Sequence, residues 1–236
     1  MQVVKDWYNE SYGKFGIKAQ RRYPNEELCR FMGRNFFDVD MPMEKRKKTK
    51  ILELGCGSCA NLWMIAKEGF DAYGCDLSEN AIIIGKEVLD KWKVTASLTV
   101  CNMIQTPYPD NYFDVALDVG ASVCLGKDDY HHFTREVGRI LKPSGLFFSY
   151  FFSKKSDAFL RSKESDRVDE DTVKTHDEKS PCYGNEYPLR FMSINDVNNM
   201  LPDSEFTVKS IEAHGRTYRN REEYFEYLVI EAVSIK

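Results

Sequence analysis

The stretch KILELGCGSCANLWMIAKEGFDAYGCDLS, residues 50–78, constrains the fold more than any other part of the chain. Residues 51–54 predict a short buried strand that runs into Gly55-Cys56-Gly57, and a helical pattern follows from Ser58 to Lys67. A second short strand ends on Asp76. This order of strand, helix and strand predicts an α/β protein with a parallel sheet and helices packed on its faces.

The turn between the first strand and the helix indicates a nucleoside-binding site. Glycine lets the backbone turn sharply and lets a ligand approach where a Cβ would block it, and Gly55 and Gly57 provide both. The free N–H groups at the start of the helix face the same space. Asp76 follows Gly55 by about 20 residues, at the carboxyl end of the next strand, where a carboxylate can accept both hydroxyls of a ribose.

Two interpretations of this turn remain open on the glycines alone. Gly55-x-Gly57-x-x-Ala60 fits a dinucleotide fingerprint, whereas Glu53-x-Gly55-x-Gly57 places a carboxylate just before the turn. A carboxylate near the centre of the ligand suits cationic groups and repels a pyrophosphate, so Glu53 favours the second interpretation.

The later motifs point the same way. Asp76-Leu77-Ser78, then Asn102-Met103, then the strand that ends on Asp118, and finally Leu141 to Gly145 follow in order. Together with Glu53-x-Gly55-x-Gly57, this succession resembles class I S-adenosylmethionine (SAM) methyltransferases, clearly so over residues 50–152. The resemblance implies a Rossmann-like three-layer sandwich with a mostly parallel seven-stranded sheet whose last strand inserts antiparallel, and the strand pair predicted at the end of the chain suits that ending.

The resemblance also implies roles for individual residues, with SAM as cofactor and S-adenosylhomocysteine as its product. Glu53 and the backbone of Gly55, Cys56 and Gly57 would face the methionine portion, and Asp76 the ribose. Leu77 and Met103 would sandwich the adenine, Asn102 would lie near its amino group, and Asp118 would lie beside the donor. An N-terminal cap would close over the cofactor with candidates Trp7, Tyr8, Arg22 and Tyr23. Two positions depart from the usual pattern: Cys59 replaces a third glycine and Asn102 a frequent aspartate.

The rest of the chain divides into an N-terminal arm and helix, residues 1–48, and a methyltransferase domain, residues 49–236. The aromatic residues of the first 23 positions show no clean helical or strand period, so a loose arm is the alternative to a cap. Within the domain, residues 153–188 are dominated by charge, which is typical of a disordered segment or of a functional lid. Their position after the fifth strand favours the lid.

Composition excludes several classes of function. The net charge of −4 provides no global basic field, which disfavours nucleic acid as a partner. No window reaches the roughly 18 apolar residues that span a bilayer, and the first residues lack the pattern of a signal peptide. With an odd number of cysteines, seven, the chain is expected to keep reduced thiols in the cytoplasm. Several of these thiols, Cys56, Cys59, Cys75, Cys101 and Cys124, are expected to border the ligand crevice.

Methyl transfer from a sulfonium needs alignment and exclusion of water more than side-chain chemistry. If the acceptor is a hydroxyl, a base is useful, and the candidates are Asp118, His176 in the charged segment and His214 between the last two strands. No residue pattern predicts a metal site. The expected function is methyl transfer to an oxygen or nitrogen of a small polar molecule. The alternatives are an NAD-dependent oxidoreductase and a non-catalytic methyltransferase-like binding partner.

Overall fold

The computed structural model describes residues 1–37, 40–176, 178–202 and 204–236. Its strands, in chain order, are β1 Lys50–Leu54, β2 Asp71–Asp76, β3 Ser97–Val100, β4 Phe113–Val119, β5 Leu141–Phe152, β6 Thr172–Val173, β7 Leu189–Arg190, β8 Phe206–Tyr218 and β9 Glu223–Ser234. Its helices are α1 Gln2–Phe15, α2 Glu26–Met32, α3 Met43–Arg46, α4 Leu62–Lys67, α5 Glu79–Trp92, α6 Lys127–Ile140, α7 Asp157–Leu160 and α8 Ile194–Met200.

Seven of the strands form one sheet in the order β3-β2-β1-β4-β5-β9-β8. The pairs from β3 through β5 are parallel, and β9 inserts antiparallel between β5 and β8. Leu54 of β1 is level with Cys75 on one side and Asp118 on the other, so the carboxyl ends of three neighbouring strands meet at one edge. The predicted fold class is thereby confirmed.

The core lies in two layers on the two faces of this sheet. Leu52 and Phe147 belong to one cluster of buried side chains, and their strand neighbours Ile51 and Phe148 belong to the other. Successive residues of a strand point to opposite faces, so both faces of β1 and β5 are apolar because both are covered. Helices begin where the sequence predicts them: the side chains of Asn25, Ser78 and Ser193 accept hydrogen bonds from the backbone of the first turn that follows each.

The N-terminal residues form a regular helix, contrary to the irregular period read from their aromatic residues. Val4 and Tyr12 on α1 are buried, and Asn9 between them binds the start of α5. The Ser78 hydroxyl donates to Asn9 Oδ1 (2.6 Å), and the Asn80 amide donates to the Asn9 carbonyl (2.9 Å). Packing against α5 therefore stabilises this helix.

The charged stretch 153–188 is folded onto the sheet over the part that the structure describes. It contains α7 and β6, and β6 pairs with β7. Phe159, Val173 and Tyr187 are buried in the larger core cluster. The disordered alternative therefore does not describe these residues, because a few apolar anchors spaced along the charged sequence reach the core. Lid movement stays a prediction.

The hairpin of β8 and β9 is longer than predicted. Pairing continues from Phe206↔Ser234 to Tyr218↔Glu223, so His214 lies within β8, opposite Tyr227, and not in a loop. None of the helices in the described ranges combines the length and the apolar character needed to cross a bilayer.

Candidate functional site

A cavity opens at the carboxyl edge of the sheet, beside the glycine turn, and α1 covers it. It encloses about 970 Å³ of empty space, part of which is open to solvent. Its lining comes from four places: α1 and the residues after it, the glycine turn, the ends of β2 and β3, and the turn after β4. These lining residues are Met1, Val4, Tyr8, Tyr12, Gln20, Arg21, Glu53, Gly55, Cys56, Gly57, Ser58, Ala60, Asn61, Asp76, Leu77, Cys101, Asn102, Met103, Val119, Gly120, Ala121 and Cys124.

Glycine is required at two positions of the turn. Gly55 and Gly57 have φ values of 72° and 51°, in the left-handed region that side chains disfavour. A Cβ on Gly55 would lie 2.2 Å from the Cβ of Ala121, and a Cβ on Gly57 would lie 2.7 Å from the Tyr12 hydroxyl. The glycines therefore let the turn pass close to α1 and to the turn after β4, which border the cavity.

Asp76 stands at the end of β2 and holds the glycine turn in place. The Gly57 amide donates to one carboxylate oxygen (2.8 Å) and the Ser78 amide donates to the other (2.9 Å). Burial raises the pKa of Asp76, and these backbone hydrogen bonds lower it in part. Each oxygen has a second lone pair, so the carboxylate can still accept bonds from a ligand's hydroxyls.

Glu53 lies in the floor of the cavity with an unusual environment. Its side chain is buried, Oε1 accepts a hydrogen bond from the Asn61 amide, and Oε2 is buried with no hydrogen-bond partner. Burial raises the pKa of Glu53 to about 8, although Asn61 and the positive charge of Arg21 act in the opposite direction. An unpaired buried carboxylate oxygen is costly unless a cation meets it, so this position fits an ammonium group of a ligand.

Leu77, Asn102 and Met103 line the part of the cavity formed by the ends of β2 and β3, as the resemblance implies. The Asn102 side-chain oxygen accepts the Ile104 amide (3.2 Å), so one of its lone pairs serves its own turn. Its amide N–H groups are the donors that it can offer to a ligand.

Asp118 does not line the cavity, which corrects its predicted position beside the donor. Its carboxylate is fully buried and turns into the loop after β4, where it accepts the amides of Ala121 and Ser122 (both 3.0 Å). The hydroxyls of Ser122 and Ser149 donate to its other oxygen. Asp118 therefore supports the turn that forms one wall of the cavity, and it is not available as a base for an acceptor.

The two histidine candidates and Tyr23 also lie elsewhere. His176 is largely exposed in a separate cleft beside Arg161 and Lys163, and His214 lies 3.3 Å from Glu27 on the outer side of β8. Tyr23 is 66% exposed and packs edge-on against Trp63 and Trp92. No histidine of the described chain lines the cavity.

Several lining residues were missed by the sequence analysis. Of the four candidates for the cap, Tyr8 lines the cavity, whereas Trp7 packs behind it and the Arg22 carbonyl accepts the Trp63 indole N–H. Tyr12, Gln20, Arg21 and Asn61 were not predicted. The spacing of four between Val4, Tyr8 and Tyr12 is a helical signal that could have identified one face of α1.

Three of the five cysteines expected at the ligand crevice line the cavity, and two do not. Cys56, Cys101 and Cys124 line it, and Cys59 and Cys75 are buried. Burial raises the pKa of Cys124 to about 12, so this thiol stays protonated at neutral pH. Across the described ranges, no group of three or more His, Cys, Asp or Glu side chains is arranged to hold a metal ion.

Comparison with known sequences identifies a domain family. Residues 51–145 match the family described as "Methyltransferase domain". A demethylmenaquinone methyltransferase of Listeria welshimeri is 33% identical over 108 residues, which are 44% of this chain and 44% of that protein. A ubiquinone/menaquinone biosynthesis C-methyltransferase of Paraburkholderia phytofirmans is 31% identical over 115 residues, 46% of this chain and 45% of that protein. The matched region thus spans less than half the length of these relatives.

Solved structures share the fold over more of the chain. A SAM-dependent methyltransferase of Methanosarcina mazei matches with a TM-score of 0.66 and 20% identity, over 78% of this chain and 91% of that one. The magnesium protoporphyrin IX methyltransferase of Synechocystis, solved with S-adenosylhomocysteine bound, matches with a TM-score of 0.69 and 12% identity, over 98% of both chains. At these identities the likeness concerns the fold.

Proposed function

We propose that this chain is a class I SAM-dependent methyltransferase that binds SAM in the cavity and transfers its methyl group to a small molecule. One observation carries the proposal. The unpartnered oxygen of Glu53, the glycine turn and the Asp76 carboxylate line a single cavity. An ammonium group and a ribose are the two ligand parts that this combination suits, and SAM has both.

The contacts proposed for the cofactor follow from the chemistry of the lining. Glu53 would accept the amino group of the methionine portion, and Arg21, which lines the cavity, would bind its carboxylate. Asp76 would accept the ribose hydroxyls, while Leu77 and Met103 would contact the adenine. Cys56 and Asn102 also line this cavity and are the remaining predicted contacts.

The proposed mechanism is an in-line displacement at the methyl carbon. When bound, SAM supplies the activated methyl group, and the chain's residues have to align the acceptor and exclude water. α1 covers the cavity with Val4, Tyr8 and Tyr12, which favours such exclusion. Since no described histidine lines the cavity, the acceptor has to be nucleophilic without a histidine base.

An oxygen or nitrogen of a small molecule is the first candidate for the acceptor. The charged lining residues, Arg21, Glu53 and Asp76, are all assigned to the cofactor under this proposal. The other lining side chains near Tyr8, those of Met1, Val4 and Cys124, are apolar or weakly polar, and the remaining polar ones, Gln20, Ser58, Asn61 and Asn102, are uncharged. This lining supports an uncharged acceptor with limited polarity, which is narrower than the small polar molecule expected from the sequence.

A ring carbon is the second candidate. The curated relatives named above are quinone-pathway enzymes, one of them named as a C-methyltransferase. An electron-rich ring attacks through carbon without a dedicated base on the protein, which agrees with the lack of a histidine in the described lining. Labelled SAM with candidate acceptors, followed by identification of the methylated atom, separates these two candidates.

Calorimetric titration with S-adenosylhomocysteine, and with NADH as the comparison ligand, tests the proposal. We expect S-adenosylhomocysteine to bind and NADH not to bind, because the unpaired carboxylate of Glu53 opposes a pyrophosphate. NADH binding alone would move the oxidoreductase alternative to first place. Binding of neither ligand would favour the non-catalytic partner.

A further inference from the structure

We propose that the Tyr8 hydroxyl, oriented by Tyr187, is a hydrogen-bond donor that anchors a carbonyl or phenolic oxygen of an uncharged aromatic acceptor. This inference rests on the proposed function and adds the class of acceptor and the residue that positions it. It concerns the part of the cavity that the cofactor contacts leave free.

The direction of one hydrogen bond carries the argument. The Tyr187 hydroxyl donates to the Tyr8 hydroxyl over 2.7 Å, so Tyr8 uses a lone pair and keeps its own proton for another partner. Within the described ranges, the Tyr8 hydroxyl donates to no protein group, and Tyr8 lines the cavity. A ligand bound in the cavity would supply the hydrogen-bond acceptor for the Tyr8 proton.

The ionisation state of Tyr8 agrees with this role. Burial raises its pKa far above the ordinary value, and the neighbouring acidic groups Cys124 and Asp76 raise it further. The Tyr187 hydrogen bond lowers it by less. Tyr8 therefore remains protonated at neutral pH and acts as a donor rather than as a base.

Aromatic side chains surround this hydroxyl and indicate the ligand class. Trp7 and Tyr187 pack against Tyr8 with ring centroids 5.0 and 5.7 Å away, and Tyr12 stacks on it at 6.0 Å. Cys124, the neighbour across the cavity, has a neutral thiol. A flat apolar ring with one oxygen that accepts a hydrogen bond matches these surroundings.

The anchor depends on two distant parts of the chain. Tyr8 belongs to α1 and Tyr187 to the charged stretch 153–188, and they are 179 positions apart. Tyr187 is buried and is not among the lining residues, so it does not contact the acceptor itself. Its role is to position the Tyr8 hydroxyl. The acceptor subsite is therefore complete only when α1 and that stretch pack together.

Binding of two matched probes tests the inference. Acetophenone and ethylbenzene have similar shapes, and only acetophenone has an oxygen that accepts a hydrogen bond. We expect the complex of wild-type protein and S-adenosylhomocysteine to bind acetophenone about 2- to 10-fold more tightly than ethylbenzene in competition measured by ligand-observed NMR. Tyr8→Phe should abolish this preference, and Tyr187→Phe should reduce it, when each variant is compared at saturating S-adenosylhomocysteine. Tyr183→Phe, an exposed tyrosine of the same stretch, is the matched control and should keep the preference.

The possible failures are distinguishable. Wild-type protein that does not bind S-adenosylhomocysteine would overturn the proposed function and this inference with it. Normal S-adenosylhomocysteine binding with the same probe preference in Tyr8→Phe and wild type would overturn the inference alone, as would a complex that binds neither probe. If Tyr8→Phe does not fold, Tyr187→Phe takes its place. A preference for acetophenone in Tyr187→Phe as large as in wild type would then overturn the inference.

Discussion

At the scale of single residues, Glu53 is buried and one of its carboxylate oxygens has no hydrogen-bond partner. Its carboxylate has a pKa of about 8, so a large part of the unliganded protein carries a proton there at neutral pH. A cationic ligand would bind the ionised form and would have to displace that proton. The pH dependence of binding is therefore a direct report on this residue.

We expect the affinity for S-adenosylhomocysteine to weaken as the pH falls below about 8, approaching tenfold per pH unit, because an increasing share of Glu53 must be deprotonated on binding. Calorimetry between pH 6 and 8.5 measures this. Glu53→Gln, which cannot ionise, should bind more weakly and with a flatter profile. A wild-type profile as flat as that of the variant would contradict the assignment.

Asp76 is the second residue whose role can be measured alone. Asp76→Asn keeps the shape of the side chain but removes the charge that strengthens bonds to ribose hydroxyls. The affinity for S-adenosylhomocysteine should fall by about 1–3 kcal/mol in calorimetric titration. Asp71→Asn, a change at the opposite end of β2, should leave the affinity unchanged. Equal affinities of Asp76→Asn and wild type would remove the ribose assignment.

At the scale of elements, the glycine turn and α1 form a close contact that leaves no space for a side chain. Gly57→Ala would combine a positive φ with a Cβ 2.7 Å from the Tyr12 hydroxyl. We expect a loss of S-adenosylhomocysteine affinity of tenfold or more, since α1 or the turn must move. Gly16→Ala has a similar φ of 54° and open space around it, so it should reduce stability by about 1–2 kcal/mol without affecting the affinity. Equal affinities for both variants would show that the contact with α1 has no effect on binding.

The charged stretch 153–188 is attached through a buried ionic cluster. Arg190 is 1% exposed and donates to Asp171, which also binds Lys154. Removing one partner of a buried pair leaves an uncompensated charge, so Asp171→Ala should lower the free energy of unfolding by about 3–5 kcal/mol. Urea denaturation measures it. Asp169 is partly exposed and lies 3.9 Å from Arg190. Asp169→Ala should therefore lower the free energy of unfolding by less than about 1 kcal/mol.

At the scale of the whole molecule, the burial of three carboxyl groups makes the stability of the unliganded protein depend on pH. Burial raises the pKa values of Glu53, Asp76 and Asp118 above those of the unfolded chain. The folded state therefore binds more protons than the unfolded state between the unfolded and the folded pKa values. In that window these groups make the protein less stable as the pH rises.

We expect Glu53 alone to account for a few kcal/mol of decreasing unfolding free energy between about pH 4.5 and pH 8. Urea denaturation gives the free energy of unfolding of wild type and Glu53→Gln at each pH in this range. The difference between the two pH profiles is the contribution of Glu53. Parallel curves would mean that Glu53 titrates normally. Saturating S-adenosylhomocysteine should reduce the difference in slope, because its ammonium group would stabilise the ionised form.

Much of the site could be predicted because it lies in a few local segments. Gly55, Gly57 and Asp76 follow from strand ends and turn chemistry, whereas Leu77, Asn102 and Met103 follow from the resemblance to class I SAM methyltransferases. Parallel strands bring their carboxyl ends to one edge whatever the details of packing, so motifs at these ends meet. The seven-stranded sheet and its antiparallel strand were predicted through the resemblance to class I SAM methyltransferases.

Motif position did not determine where Asp118 and the histidines point. Asp118 lies next to the last residue of β4, but hydrogen bonds from the following turn hold its carboxylate away from the cavity. His214 remains in β8 because the hairpin continues past it. These orientations depend on hydrogen bonding and pairing that one strand does not encode locally.

By itself, the sequence therefore determined the strand ends and the glycine turn, since these depend on local periodicity and on turn residues. The resemblance that its motifs carry implied the seven-stranded sheet and the half of the cavity that these motifs form. The tertiary structure alone decided what covers that half: α1 with Tyr12, the approach of Arg21, and the contact of Tyr8 with Tyr187. The physical reason is that buried contacts between distant segments depend on which surfaces fit each other, and these segments have no periodicity in the sequence that records their partner.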